Sequence, residues 1–322
     1  MKAIVQDTYG SPDVLELSDI DKPVVEHDDV LVRVHAAGVD RGVWHLMTGL
    51  PYLVRLGFGL RKPRGRVRGL DVAGRVEEVG KDVNRFQPGD EVFGTCDGSF
   101  AEYACAKEDD LVSKPAKLSF EQAAALPTSA TTALRGLRDA GRVEPGQKVV
   151  ILGASGGVGT FAVQIAKALG AEVSGVCSTR KTDLVQSIGA DHAIDYTRED
   201  FADGRRRYDV ILDIAGNRSL SHLRRALTPQ GTLVIIGGEE GGPWFGGVDR
   251  QLRALMLSPF VRQKLKAPIY MTRKEDLQVL KGLVEAGKVT PVIHKTYPLS
   301  EVPEAIRHLE EGHARGKIVI TV

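Results

Sequence analysis

The run KVVILGASGGVGTFAVQIAKAL, residues 148 to 169, constrains the fold more than any other stretch of the chain. KVVIL is a short β-branched strand signal, FAVQIAKAL has helical spacing, and only a glycine-rich turn lies between them. The alternation continues to residue 236: AEVSGVC, HAID, YDVILD and GTLVIIG read as strands, with SLSHLRRAL as a further helix. Parallel neighbours need a crossover connection, which a helix supplies, so this pattern predicts a doubly wound parallel sheet. The turn itself matches the spacing GxGxxG as Ala154, Gly156 and Gly159, with Ala in the first glycine position. Gly156 lets backbone approach a pyrophosphate, Gly159 lets helix and strand pack closely, and the helix start offers oriented N–H groups. A tight turn without a ligand would also use glycine, but the alternating context favours a dinucleotide held by Ala154, Gly156, Gly157, Val158 and Gly159. Gly237, closing GTLVIIG, joins that set.

Which dinucleotide is read at the end of the second strand. An NAD site needs an acid there for the ribose 2′-hydroxyl, whereas the residues are CSTRK. Ser178, Thr179, Arg180 and Lys181 offer hydroxyl and cationic donors, which suit a 2′-phosphate and therefore NADPH. Asp183 lies past the turn, where it caps or solvates the next helix.

The chain has 322 residues, enough for two domains. Before residue 120 the hydrophobic period is that of strands: in VLVRVHA, Val30, Val32, Val34 and Ala36 share one face. GSP at 10 to 12, QPGD at 87 to 90 and CDGS at 96 to 99 punctuate this half as turns do in a compact antiparallel barrel. Ser119 and Gln122 then have capping-box spacing at a helix start. After residue 271 the segments EDLQVLKGLVEAGKV and VPEAIRHLEEG look helical, and KIVITV returns as a barrel-type strand. The expected organisation is a discontinuous barrel domain, 1–124 and 272–322, with the dinucleotide domain, 125–271, inserted into it. GGEEGGPWFGG (237–247) is the nearest thing to a mobile loop.

With 43 basic and 42 acidic residues the chain has no global field for nucleic acid or membranes. No run of about 18 apolar residues is present to span a membrane, and MKAIVQD lacks a signal-peptide core, which favours the cytoplasm. Cys96, Cys105 and Cys177 have no CxxC spacing and read as inert thiols rather than a disulfide framework or a zinc lobe.

GASGGVG, PGDEVFG, GLDVAGRVEEVG and the closing GHARGKIVI together resemble the medium-chain dehydrogenase/reductase superfamily, in its zinc-free quinone oxidoreductase branch, over essentially the whole chain. The resemblance implies a GroES-like barrel carrying the substrate site, a Rossmann domain inserted into it, and hydride transfer in the cleft between them. It also implies roles for single residues: Tyr52 as a hydrogen-bond donor in the substrate cleft, Thr132 near the nicotinamide, Tyr196 on the adenosine side, and Lys317 as a weaker phosphate contact. Zinc-dependent members carry a Cys after AxG and a Gly-His-Glu triplet, where this chain has Asp40 and Gly69, Leu70, Asp71. Leucine cannot ligate zinc, and two carboxylates fall short of the three protein ligands of a catalytic zinc, so no metal is expected. A lone His45 reads as structural. Asp40 replaces the asparagine usual in quinone oxidoreductases; it is either a functional group beside the nicotinamide or a turn carboxylate.

Without a Lewis acid the easier reaction is hydride delivery to an electron-poor acceptor, a quinone or an activated C=C, which is the function expected here. A zinc alcohol dehydrogenase and a non-enzymatic NADPH-binding protein are the alternatives. The acceptor is expected to be a small hydrophobic molecule. Trp244, Phe245, Leu252, Leu255, Met256, Leu257 and Phe260 suit either a lid over it or a subunit interface. The resemblance implies a homodimer through the edge of the Rossmann sheet.

Overall fold

The computed structural model describes every residue except 239–241, so that part of the expected loop at 237–247 lies outside the described residues. The rest divides into two units, Met1–Thr131 with Met271–Ala286 and Pro291–Val322, and Thr132–Tyr270 with Gly287–Thr290.

The first unit begins with an antiparallel ribbon of β1 (Lys2–Val5) and β2 (Glu16–Asp19). β3 (Asp29–Val39), β4 (Asp71–Val79), β5 (Glu91–Thr95), β6 (Tyr103–Lys107) and β7 (Leu111–Ser113) follow, joined by antiparallel pairings. In VLVRVHA the expected face, Val30, Val32, Val34 and Ala36, is buried, while on the other face Arg33 is exposed, His35 intermediate and only Leu31 buried; the end of β3, Ala37, Gly38 and Val39, is buried throughout. The strand pairs with β4 and β6 and packs under the helix Phe120–Ala124, whose Phe120 stacks on His35 at 4.3 Å between ring centroids. That helix starts with the expected capping box, Ser119 and Gln122 each satisfying the other's backbone N–H.

The chain then builds the second unit from β8 (Lys148–Leu152), β9 (Glu172–Cys177), β10 (His192–Asp195), β11 (Tyr208–Asp213), β12 (Leu227–Ile235) and β13 (Lys264–Lys266). All pair in parallel, in the order β10-β9-β8-β11-β12-β13. The order reverses at β8, between β9 and β11. In such a sheet a ligand binds outside the carboxyl ends of the strands at that reversal. The short β13 went unread in the sequence because two of its three residues are lysines.

Returning to the first unit, β14 (Ile293–Pro298) and β15 (Lys317–Thr321) complete a seven-stranded sheet, β15 lying antiparallel to β3. β14 and β15 run parallel to each other, so the sheet is not purely antiparallel.

The first unit is tied together by Asp71, the first residue of β4 and fully buried. Its Oδ1 accepts from the backbone N and the Oγ1 of Thr128, at 3.0 and 2.6 Å, and so caps the helix Pro127–Arg135 from a distant strand. Its Oδ2 lies 3.5 Å from the Nζ of Lys317, itself 2 % exposed at the start of β15. Burial pushes the Asp71 carboxyl up to about 6, Lys317 opposes that shift, and nearby Asp40 adds to it. A folded-state pKa above the unfolded one means that this carboxyl's contribution to stability is full below about 3.8 and declines as pH rises toward 6. Removing Lys317 leaves Asp71 buried without a counterion, so its decline with pH must extend further. Lys317→Met should therefore cost about 3 kcal/mol in urea unfolding at pH 8 and less at pH 5, where Asp71 takes up its proton. Adding Asp71→Asn should recover most of the loss, since no buried charge then remains; equal losses at both pH values would contradict the ion pair.

Candidate active site

At the sheet reversal, β8 passes through Gly153 and Ala154 into the helix Gly157–Ala168. Gly159 is required by packing, because a Cβ there would stand 2.1 Å from the carbonyl oxygen of Gly153. Gly156, the residue before the helix, is different. An added Cβ would meet only the Gly153 oxygen, at 3.6 Å, and its φ of −85° suits any residue. The fold does not need glycine at 156; a ligand approaching the backbone would. No side chain caps this helix start, so the first-turn amides around Gly157 and Val158 retain their partial positive charge for an anion.

The other expected nucleotide residues reach the same carboxyl edge from neighbouring strands. Ser178 follows β9 and leads the short turn Thr179–Lys181. Arg180 is exposed and Lys181 partly so, while the Thr179 hydroxyl is not open to a phosphate, since it donates to Asp195 Oδ2 at 2.6 Å. Asp195, 7 % exposed at the end of β10, also accepts from the N and Oγ1 of Thr197, and these bonds, Thr179 first, hold its pKa below the usual range. It thereby fixes the turn that presents Arg180 and Lys181, a role no sequence pattern signalled. Tyr196 follows directly, half-exposed, with its N–H on the Cys177 carbonyl at 3.1 Å. Gly237 follows β12, where a Cβ would lie 1.8 Å from the Ile214 oxygen, so its glycine is explained by packing.

A second unforeseen pair supports this edge. Asp213 ends β11 with no exposure, its Oδ1 accepting from Gly216 N at 3.0 Å and its Oδ2 paired with Arg250. Arg250 also donates to the Gly216 carbonyl at 3.1 Å, so the helix Val248–Leu257 is bolted to the strand ends. An acid closing the apolar strand YDVILD was the available signal; its partner, 37 residues on, had none.

Thr132 opens the second unit within the helix Pro127–Arg135. Tyr52, Asp40 and Lys317 belong to the first unit. Tyr52 begins a short helical turn, is 37 % exposed, and has the Arg55 guanidinium 4.7 Å from its ring centroid. Arg55 is itself held by the Gly49 carbonyl at 3.0 Å, which fixes the ring's neighbour. Lys317 is buried against Asp71, which does not suit the expected contact with a cofactor phosphate. Asp40 caps the helix Arg41–Thr48, its Oδ1 accepting from Val43 N at 3.1 Å at 7 % exposure, while its Oδ2 has no hydrogen-bond partner among the described residues. His45 donates from Nδ1 to the Leu50 carbonyl at 2.6 Å, a structural use as read.

The residues at 40 and 69–71 do not fit zinc. Asp71 is spent on Thr128 and faces an ammonium, Asp40 caps a helix, and Leu70 has no ligand atom. Among the described residues the one group of three candidate ligands is Glu26, Asp28 and Asp29, where Lys107 pairs with all three. The cradle at 153–159 and the cations at 180–181, by contrast, fit a phosphorylated dinucleotide.

Residues 26–116 match a family profile described as an alcohol dehydrogenase GroES-like domain, and 188–320 one described as a zinc-binding dehydrogenase. A tomato 2-methylene-furan-3-one reductase is 35 % identical, over 99 % of this chain and 79 % of its own. The quinone oxidoreductase of Coxiella burnetii superposes with a TM-score of 0.88 at 31 % identity, covering 100 % of this chain and 99 % of that one. A mycobacterial protein solved in complex with NADPH superposes with a TM-score of 0.85 at 25 % identity, covering 100 % of both chains.

The two glycines separate packing from binding. Gly156→Ala should keep the apo protein's stability within about 1 kcal/mol yet weaken NADPH binding by about tenfold or more, because the methyl occupies the ligand's approach. Gly159→Ala should lower Tm outright. Calorimetric titration and thermal melts on both variants check this; a Gly156→Ala protein that binds NADPH like wild type would contradict the cradle.

Proposed function

Because the chain belongs to the medium-chain dehydrogenase/reductase superfamily, in its quinone oxidoreductase-like branch, we propose that it transfers hydride from NADPH to a small hydrophobic quinone or enone without zinc. The observation that carries this reading is the edge of the parallel sheet. It combines an uncapped helix start, a glycine the fold does not require, and two cations where an NAD site would have an acid.

NADPH, when bound, would supply the hydride. The amides around Gly157 and Val158 would hold its pyrophosphate, Ser178, Arg180 and Lys181 its 2′-phosphate, Tyr196 its adenosine side and Thr132 its nicotinamide side. Tyr52 would donate a hydrogen bond to the acceptor oxygen as charge builds there, and water would supply the proton that balances the hydride. The zinc-free reading is supported by Asp71, whose Oδ1 accepts from Thr128 and whose Oδ2 faces the Lys317 ammonium at 3.5 Å.

No helix among the described residues is long and apolar enough to cross a membrane. Three free thiols, Cys96 and Cys177 buried and Cys105 partly so, suit a reducing compartment, and we assign the cytoplasm. A homodimer would cover the outer edge of β13 and the exposed Leu252, Leu255 and Met256 of the adjoining helix.

Replacing both Arg180 and Lys181 with alanine should remove about 10- to 10³-fold of NADPH affinity while barely changing that for NADH, because only the 2′-phosphate forms charge-assisted bonds with them. Equal losses for both cofactors would mean that the two side chains hold the loop instead. Tyr52→Phe should lower kcat more than it raises KM, by up to roughly 10²-fold if water is excluded and less if it can substitute. Steady-state kinetics with a quinone and an enone decide this, and unchanged constants with both would return Tyr52 to the pocket wall.

A further inference from the structure

Residues 41 to 70 contain seven arginines and lysines and no aspartate or glutamate, although the whole chain balances at +1, so the remainder is net acidic. The same stretch leaves Leu53, Leu56, Phe58 and Leu60 at 45, 66, 51 and 68 % exposure. Four large apolar side chains within eight residues, all in water beside a cation run, form a patch that a freely soluble surface does not need.

The backbone beneath them is held in place. The Tyr9 hydroxyl donates to the Gly59 carbonyl at 2.7 Å, Arg64 N donates to the Phe58 carbonyl at 2.9 Å, and Arg64 Nη1 donates to Gly57 at 3.0 Å. Arg55 is committed to the carbonyls of Gly49 and Thr48 and lies over the Tyr9 ring, Arg66 is clamped by both oxygens of Asp7, and Arg68 is buried. That leaves Arg61 and Lys62 exposed with no bonded partner, and Arg64 exposed with one contact to a carbonyl and no carboxylate, among the described residues. Lys62 still feels Asp7, whose pKa it helps to lower after Arg66. The segment is thus a held stretch of backbone that exposes four large apolar side chains and three cations to solvent within twelve residues.

We propose that this tip, residues 53–64, docks on the surface of a bilayer containing anionic lipid. Leu53, Leu56, Phe58 and Leu60 would enter the boundary between headgroups and acyl chains, and Arg61, Lys62 and Arg64 would lie on the lipid phosphates. A nucleic acid would match the cations but leave three leucines in water, and an acidic protein would need a shaped recess that an outward tip does not offer. The docking does not depend on the NADPH reading. If both hold, Tyr52 lies next to the tip in the chain, at the water boundary of the medium in which hydrophobic quinones dissolve.

Co-sedimentation of the full chain with phosphatidylcholine vesicles, with and without phosphatidylglycerol, tests the docking. Wild type should partition onto the anionic vesicles and be released by salt. Arg61→Glu with Lys62→Glu should lower the partition coefficient on the order of 10²-fold, at roughly fivefold per unit of charge near an anionic surface, less than fully additive. Leu56→Ser with Phe58→Ser should lower it at least about tenfold. All these positions are exposed, so both variants should keep the wild-type Tm and NADPH affinity. Wild type that fails to sediment with anionic vesicles at low salt overturns the proposal. So does a serine variant that binds them as well as wild type, which would mark a cation cluster attracted to any polyanion. A serine variant that loses turnover with a water-soluble acceptor while wild type ignores vesicles would make the segment part of the acceptor site instead.

Discussion

Strand Lys148–Leu152 and helix Gly157–Ala168 can share one tight turn only because residue 159 has no side chain, the backbone of Gly153 filling the place a Cβ would take. That contact sets the helix start against the carboxyl end of the central strand, where the strand order reverses. The neighbouring loops after β9, β10, β11 and β12 then converge on the same edge, two of them held by buried acids. Asp195 fixes the turn carrying Arg180 and Lys181, and Asp213 with Arg250 fixes the connection at Gly216 and Gly237. These contacts are all internal to the chain, so the loops at this edge are held by protein groups.

The acid in RGLDVAG has a structural use. A carboxylate at 71 could have held a metal or moved protons, but its Oδ1 accepts from Thr128 and its Oδ2 faces the Lys317 ammonium at 3.5 Å. One side chain thereby links the start of β4, the start of a helix and the start of β15, three segments remote in sequence. A buried ion pair of this kind contributes little net stability over an apolar replacement, since desolvation offsets most of the attraction. Its value is positional: only one register of β15 brings the Lys317 ammonium to that carboxylate.

The fold was largely legible because its strongest signals are local. Strand-then-helix periodicity and the glycine spacing at 153–159 are read within one window, and so is the capping box at Ser119 and Gln122. What escaped depends on distance. The alternation in VLVRVHA marks its buried face, but it cannot reveal that the end of the strand, Ala37, Gly38 and Val39, is buried throughout. Lys264–Lys266 is too short and charged to announce a strand, and the parallel β14–β15 pair follows from tertiary placement alone. In the candidate site, the cations Arg180 and Lys181 are legible because their chemistry is local to one turn. The partner of Lys317 is set by burial, and a cap and a catalytic carboxylate carry the same side chain at Asp40, so neither is legible in the sequence.

The proposed chemistry requires that the carboxyl edge of the parallel sheet hold NADPH through its 2′-phosphate, with no metal beside Asp71. A crystal structure of the protein with NADPH tests this most directly, with anomalous data collected at the zinc edge. Pyrophosphate oxygens are expected on the amides around Gly157 and Val158, the 2′-phosphate within hydrogen-bond distance of Arg180 and Lys181, and Lys317 still facing Asp71. A 2′-phosphate free in solvent, or an anomalous peak between Asp40 and Asp71, would contradict it.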